Sequence, residues 1–230
     1  MGFLFDAMSG LHSLLFPIVC PYCGREDSKA CEGCLAQWLR NPETRFVDGV
    51  PIISSHPYDQ RAMRVVLAAK ERGEREARKF IVQSLIDLSQ RIAAHSGREV
   101  YLVPIPGSAR ALRRRGEDVM QEIVESVVAS STEKVSSLPI LVWNRAIKDQ
   151  SSLSMRERAE NLSDALIVNH SILAKRVEVR MGQQVVIVDD VLTSGATMAA
   201  AISAISHSYL GRSALLAGIT ACYSVNPLFA

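Results

Sequence analysis

Two aspartates stand side by side at the end of a run of four β-favouring residues, Val185-Val186-Ile187-Val188-Asp189-Asp190. Adjacent carboxylates repel, so placing them at the tip of a buried strand costs stability unless something there needs acceptors or negative charge. An ionised carboxylate can only accept hydrogen bonds, and a vicinal diol such as that of ribose can donate two. After Val191 and Leu192 come Thr193, Ser194, Gly195, Ala196 and Thr197: three hydroxyls, a glycine able to take unusual backbone angles, and the start of a helix. Backbone N–H groups converging at a helix N-terminus attract phosphate, and hydroxyls add donors without adding charge. The acids therefore suit a sugar and the turn suits its phosphate. A helix cap alone would account for one hydroxyl, but not for the strand, both acids and the turn in this order.

Four of the five cysteines form two C-x2-C knuckles, Cys20-Pro-Tyr-Cys23 and Cys31-Glu-Gly-Cys34, separated by seven residues. Four thiolates from two tight turns suit tetrahedral Zn2+, and with no open position such a site is structural. A redox role is the rival, although one pair would serve it. Cys222 lies in the apolar run SALLAGITACY and is expected in the core. The histidines form no cluster and are assigned no chemistry.

Val103-Pro104-Ile105-Pro106-Gly107 ends another apolar run, and Arg110, Arg113, Arg114 and Arg115 follow closely. They are either a solvated helix face or, being at the carboxyl end of a strand, partners for a second anion such as pyrophosphate. The polar stretch Lys148 to Arg158 is either an ordinary surface loop or a cover that shields the site from water.

These groups need a scaffold. From Val100 on, apolar runs alternate with helical segments: VYLVPIP, Ala109 to Ala129, LPILVW, DALIV, QQVVIVDD, Ala196 to Ser206 and SALLAGITACY. Such alternation predicts an α/β fold with a mainly parallel sheet flanked by helices. Gln183 to Asp190 reads as a central strand buried on both faces. Upstream, Arg61 to Ala69 and Ala77 to Ala94 read as helices broken at Gly73, and Arg40 to Asp59 as a linker entering through a short strand, Val50 to Ile53. Leu4, Met8, Leu11 and Leu15 give a short amphipathic helix ending near Pro17. The organisation expected is a helix and four-cysteine zinc segment over 1–45 and the α/β domain over 46–230.

With 230 residues, 48% hydrophobic and 22% charged, the chain suits one ordinary domain with a small appendage. A formal charge of +2 gives no global pull toward nucleic acid or membrane, so anion binding must be local. The opening residues lack a basic region ahead of an apolar stretch, which argues against a signal peptide or membrane span; with the thiol spacing this favours the cytoplasm.

Val185 to Thr197, VVIVDDVLTSGAT, resembles the phosphoribosyl pyrophosphate (PRPP) signature of type I phosphoribosyltransferases. With LLFPIVCPYCG, YDQRAMRVVLAAKERGE, VPIPGSARALRRRG and DQSSLSMRERAENLSDA in this order, nearly the whole chain is similar to the ComF/GntX-like family. The resemblance implies a type I phosphoribosyltransferase-like fold behind a small zinc knuckle. It implies that the catalytic acids Asp189 and Asp190 contact the ribose 2- and 3-hydroxyls, and that the loop from Val191 to Thr197 holds the 5-phosphate. Mg2+ would sit on the pyrophosphate, which leaves as the phosphoribosyl group passes to an acceptor through a cationic, oxocarbenium-like sugar. Lys70 and Gly73 match the family's Lys-x-x-Gly, Arg114, Arg115 and Gly116 its Arg-x-Arg-Gly region, and Gln150, Leu153, Arg158 and Asn161 its loop.

The chain departs from the family at Glu117-Asp118-Val119, where Phe-Asn-Gln is usual, at Glu71 in place of an aromatic, and at Ile147 in place of Thr. Added acids beside a pyrophosphate site weaken anion binding by repulsion. Some members of the family are linked to DNA uptake in competent bacteria. The alternatives to a transferase are therefore a non-catalytic factor that contacts single-stranded DNA or the competence machinery, and a regulator that senses PRPP or a nucleotide. Aromatics that would stack single-stranded bases are not interleaved with the arginines, which counts against sequence-tolerant DNA binding.

Overall fold

The computed structural model describes residues 19–26, 29–40, 42–145, 165–175 and 184–225. The amphipathic stretch at Leu4 to Leu15 and the loop carrying Gln150 and Arg158 lie outside these residues. Among the described residues no helix is long and apolar enough to cross a membrane.

The main sheet is built from Glu43–Val47 (β1), Val50–Pro57 (β2), Val100–Pro104 (β3), Val135–Ser137 (β4), Gln184–Leu192 (β7) and Leu215–Tyr223 (β8). Its order is β1-β2-β8-β7-β3-β4, and every pairing except the β1–β2 hairpin is parallel. Leu141–Trp143 (β5) and Leu166–Val168 (β6) form a separate antiparallel pair. The fold is thus α/β with a mostly parallel six-stranded sheet, as the alternation of segments predicts.

The short strand expected at Val50 to Ile53 is the first half of β2, but the rest of the linker expected over Arg40 to Asp59 is largely strand as well, forming the β1–β2 hairpin. Its turn, Asp48-Gly49, puts both residues at positive φ (47° and 74°), as a two-residue hairpin turn demands. The helical segment expected over Ala109 to Ala129 is two helices, Ala109–Arg115 (α4) and Val119–Ser130 (α5), because Gly116 closes the first in the left-handed conformation and Asp118 caps the second. Glu32–Trp38 (α1), Gln60–Glu71 (α2), Arg75–Ser96 (α3), His170–Lys175 (α6) and Ala196–Ser206 (α7) complete the described helices.

Strand β7 is central, and its side chains alternate between two cores. Val186 and Val188 pack with Phe80, Ile81 and Leu85 of α3 and Ile123 and Val124 of α5. Val185 and Ile187 pack with Met198, Ala201, Ile202 and Ile205 of α7. All four valine and isoleucine side chains are fully buried, which explains an unbroken apolar run in place of an alternating one.

The direction of chain travel fixes where a ligand can sit. From β3 the chain moves outward to β4 through α4 and α5, whereas from β7 it moves the opposite way to β8 through α7. Right-handed crossovers in opposite directions place their helices on opposite faces and leave a crevice between the two starting strands. That crevice opens at the carboxyl ends of β3 and β7.

The cysteine segment packs on this frame. Trp38 of α1 is fully buried, stacks on His56 of β2 with centroids 4.6 Å apart, meets the Phe80 ring edge-on and donates its indole N–H to Ser84. Tyr22 donates to or accepts from His56 Nε2 at 3.2 Å. Residues 20–38 therefore share one core with α3, although the motifs divide near residue 45.

Candidate functional site

The last β3–β7 pair is Pro104 with Val188, but β7 continues beside β8 as far as Leu192. Asp189 to Leu192 thus overrun β3 and leave an edge open toward the crevice. A cavity of about 420 Å3 fills this position. Asp189, Asp190, Val191, Thr193 and Thr197 line it from the β7 side, Ile105, Pro106, Gly107 and Ser108 from the loop after β3, and Lys70 and Glu71 from the end of α2.

Strand alternation turns Asp190 to the same face as Val188, toward α2, where Lys70 Nζ meets its Oδ2 at 2.8 Å. The Asp190 side chain is 8% exposed and that of Lys70 29%. Asp189 Oδ1 accepts the Asp190 backbone N–H at 2.9 Å. Burial acts to raise the Asp190 carboxyl, but the Lys70 charge, together with hydrogen bonds from Asp189, Lys70 and the backbone, holds that group below the usual carboxylate range. Burial and the Asp190 charge push Asp189 well above it. Burial opposes charging Lys70, yet Asp190 and then Asp189 keep its pKa above the ordinary lysine value. One lysine serves two acids.

The turn after β7 leads into α7 through Gly195, which is the N-cap with φ 69° and makes no side-chain capping bond. A Cβ at Gly195 would lie 3.2 Å from Val47 Cγ2, so the left-handed backbone angle favours glycine and any side chain would also have to displace Val47 slightly. Because the cap is glycine, the hydroxyls of Thr193 and Thr197 are not recruited as the α7 cap, and both line the cavity. Ser194 Oγ accepts from Ala196 N at 3.4 Å, while Leu192 is buried.

Across the cavity, the loop after β3 is held from several sides. Pro104 and Pro106 have no N–H, Ile105 N donates to Val188 O at 2.9 Å, and Gly107 N donates to Asp118 Oδ2 at 3.1 Å. Trp143 of β5 donates its indole N–H to the carbonyls of Pro106 and Gly107 at 2.9 and 3.0 Å. The other Asp118 oxygen accepts from Met120 N and Gln121 N at the start of α5.

The basic cluster divides. Arg115 lines the cavity, donates to the Lys70 carbonyl at 2.7 Å and lies 3.8 Å from Glu71. Arg114 is exposed and pairs with Glu71, and Arg110 is exposed; neither lines the cavity. Glu117 is answered by Arg78, which also binds Glu122, at 2.7 and 2.8 Å.

Of the sequence-selected residues, Lys70, Pro106, Gly107, Arg115, both aspartates, Val191, Thr193 and Thr197 are brought to one cavity. Trp143, Tyr58 and Asp118 also line it. Trp143 carries no local signal, because it arrives on the small separate sheet. Asp118 could have been found as an aspartate followed by an apolar helical run, the pattern of an N-cap.

The four knuckle cysteines form a second cluster, with all Sγ atoms within 4.8 Å of one another. Cys31 Sγ lies 3.5 Å from Cys20 Sγ and 3.7 Å from Cys23 Sγ. Burial acts to raise the Cys20 thiol, but the backbone N–H groups of Cys23, Cys31 and Tyr22 bring it down to about 6. Cys34 is held up by burial and by the neighbouring thiols. Thiols gathered in this way, with backbone donors aimed at sulfur, are compatible with a structural metal site. Cys222 is buried in β8.

Compared with models of known protein families the chain matches none, and no curated protein is significantly similar to it.

Proposed function

We propose that the cavity binds a 5-phosphoribosyl group, as PRPP or a nucleotide, and that the protein is of type I phosphoribosyltransferase type and ComF/GntX-like. The observation that carries this is the convergence of Asp189 and Asp190 with the glycine-capped start of α7 in one crevice at the carboxyl ends of β3 and β7. Asp189 and Asp190 accept from the ribose 2- and 3-hydroxyls. The N–H groups at the start of α7, with Thr193 and Thr197, donate to the 5-phosphate. Lys70 fixes Asp190 in its ionised form, so that this acceptor is in place before the sugar arrives. Mg2+, where the ligand carries phosphate oxygens that bind it, supplies neutralising charge.

In this reading the cysteine cluster holds Zn2+ through Cys20, Cys23, Cys31 and Cys34. The Cys31–Cys20 and Cys31–Cys23 sulfur separations, 3.5 and 3.7 Å, agree with the edge of about 3.8 Å that a tetrahedron of ~2.3 Å Zn–S bonds requires.

Calorimetric titration with ribose 5-phosphate and Mg-PRPP tests the proposal. The wild type should bind ribose 5-phosphate at one site, and Asp189→Asn with Asp190→Asn should weaken it about a hundredfold, the worth of two hydrogen bonds to charged groups. No binding of either ligand by the wild type would overturn it.

A further inference from the structure

The half of the cavity facing the loop after β3 is already supplied with an anion by the protein itself. Asp118 is the N-cap of α5, and its second oxygen reaches back to take the Gly107 N–H. Ile105 N–H goes to Val188 O, and residues 104 and 106 are prolines, so the next backbone N–H after Gly107 in this loop is that of Ser108. Its Pro106 and Gly107 carbonyls are fixed by Trp143, so the loop is clamped from both sides.

The nearby cations are committed in the same way. Among the described residues lining the cavity the cations are Lys70 and Arg115, and Lys70 pairs with Asp190 while Arg115 contacts Glu71 and the Lys70 carbonyl. Glu117 is balanced by Arg78, whereas among the described residues the partners of the Asp118 carboxylate are backbone N–H groups and not cations, and it lines the cavity. A diphosphate on sugar C1 would bring several negative charges to this carboxylate and would compete with it for the Gly107 N–H. Apart from Ser108, the remaining lining here is mainly flat or apolar, with Trp143, Leu67, Leu112, Val66 and Met120.

We infer that Asp118 is a built-in occupant of the second anion position, and that the pocket prefers a pentose 5-phosphate bearing an uncharged nitrogen heterocycle on C1, a nucleoside 5′-monophosphate, over the C1 diphosphate. This rests on the phosphoribosyl assignment and narrows it. Asp118 is then a specificity-determining residue: it rejects a C1 anion, while the acids of β7 and the start of α7 hold the sugar phosphate common to both ligands.

The test is calorimetry with ribose 5-phosphate, PRPP and the nucleoside 5′-monophosphates, each with and without Mg2+, on wild type, Asp118→Ser and Asp118→Asn. Both variants retain an α5 cap and remove the charge, and thermal melts report whether each is folded. In the wild type the monophosphates should bind more tightly than ribose 5-phosphate, and PRPP about tenfold more weakly than it. In the folded variants PRPP should gain about tenfold while ribose 5-phosphate is unchanged. PRPP binding at least as tightly as ribose 5-phosphate in the wild type, with a ratio that neither variant moves, overturns the role of Asp118. Monophosphates no tighter than ribose 5-phosphate overturn the heterocycle. Failure of both ribose 5-phosphate and PRPP to bind the wild type brings down the underlying assignment and this inference with it.

Discussion

Lys70 Nζ lies 2.8 Å from Asp190 Oδ2, and no second lysine among the described cavity-lining residues balances Asp189 on the same strand. The two acids therefore act oppositely on the stability of the unliganded protein. Asp190, whose folded pKa is depressed, contributes stability that is present above the unfolded carboxylate value of about 3.9 and lost as pH falls through the folded one. Asp189, whose folded pKa is raised, contributes stability at low pH that disappears as pH rises from about 3.9 through its folded value. Urea melts at intervals from pH 4 to 8 should show Asp190→Asn losing most against wild type at the upper end. Asp189→Asn should gain against wild type by a margin that widens with pH, although its ligand affinity falls.

Removing the lysine leaves Asp190 buried without its cation. Lys70→Met should cost about 2 to 3 kcal/mol, below the full value for a deeply buried pair because the lysine is partly exposed. In a double-mutant cycle, adding Asp190→Asn should restore much of that loss. Additive losses would show that the pair does not couple.

Gly195 sets the entry to α7. Gly195→Ala must hold an L residue at φ 69° and push Val47 aside from 3.2 Å, at a cost of about 1 to 2 kcal/mol. Phosphate affinity should fall by more than the melt implies, since the α7 N–H groups shift with the turn. Fluorescence titration with ribose 5-phosphate alongside thermal melts separates the two effects.

Elemental analysis of the purified protein should give one zinc per chain. Because the knuckle shares its core with α3 through Trp38, removing the metal with a chelator or substituting Cys20→Ser should destabilise the whole chain. A loss of about 2 kcal/mol corresponds to a melting shift of roughly 4 to 8 °C at this size. A melt that is unchanged after verified metal loss would make the cluster dispensable.

Much of the site can be read from residue order because it is local. Val185 to Thr197 carries the strand, the acids, the turn and the helix start in one contiguous segment, and each needs a distinctive residue type. What escapes is non-local or short. Strand β4 is only three residues with one of them buried, too little to show a period. The β1–β2 hairpin is signalled by Asp48-Gly49, but the surrounding prolines and glycine suggest a linker. Lys70 is reached only through the family resemblance, since a lysine in the last turn of a helix is ordinary; its role depends on α2 packing beside β7. Arg78, which neutralises Glu117, is likewise distant in sequence and gives no hint that this acid has a partner.

The pairing of β2 with β8 has a consequence for synthesis. Ser54 and Thr220 hydrogen-bond across a separation of 166 residues, and β7 and β8 both lie between β2 and β3 in the sheet. As the chain leaves the ribosome, β2 and β3 emerge early, each with an edge of N–H and C=O groups that its eventual neighbour cannot yet pair. The strands that fill the gap come later in the chain, so although β2 can pair with β1 and β3 with β4, one edge of each stays open in the meantime, when chaperones or wrong strand partners can claim it.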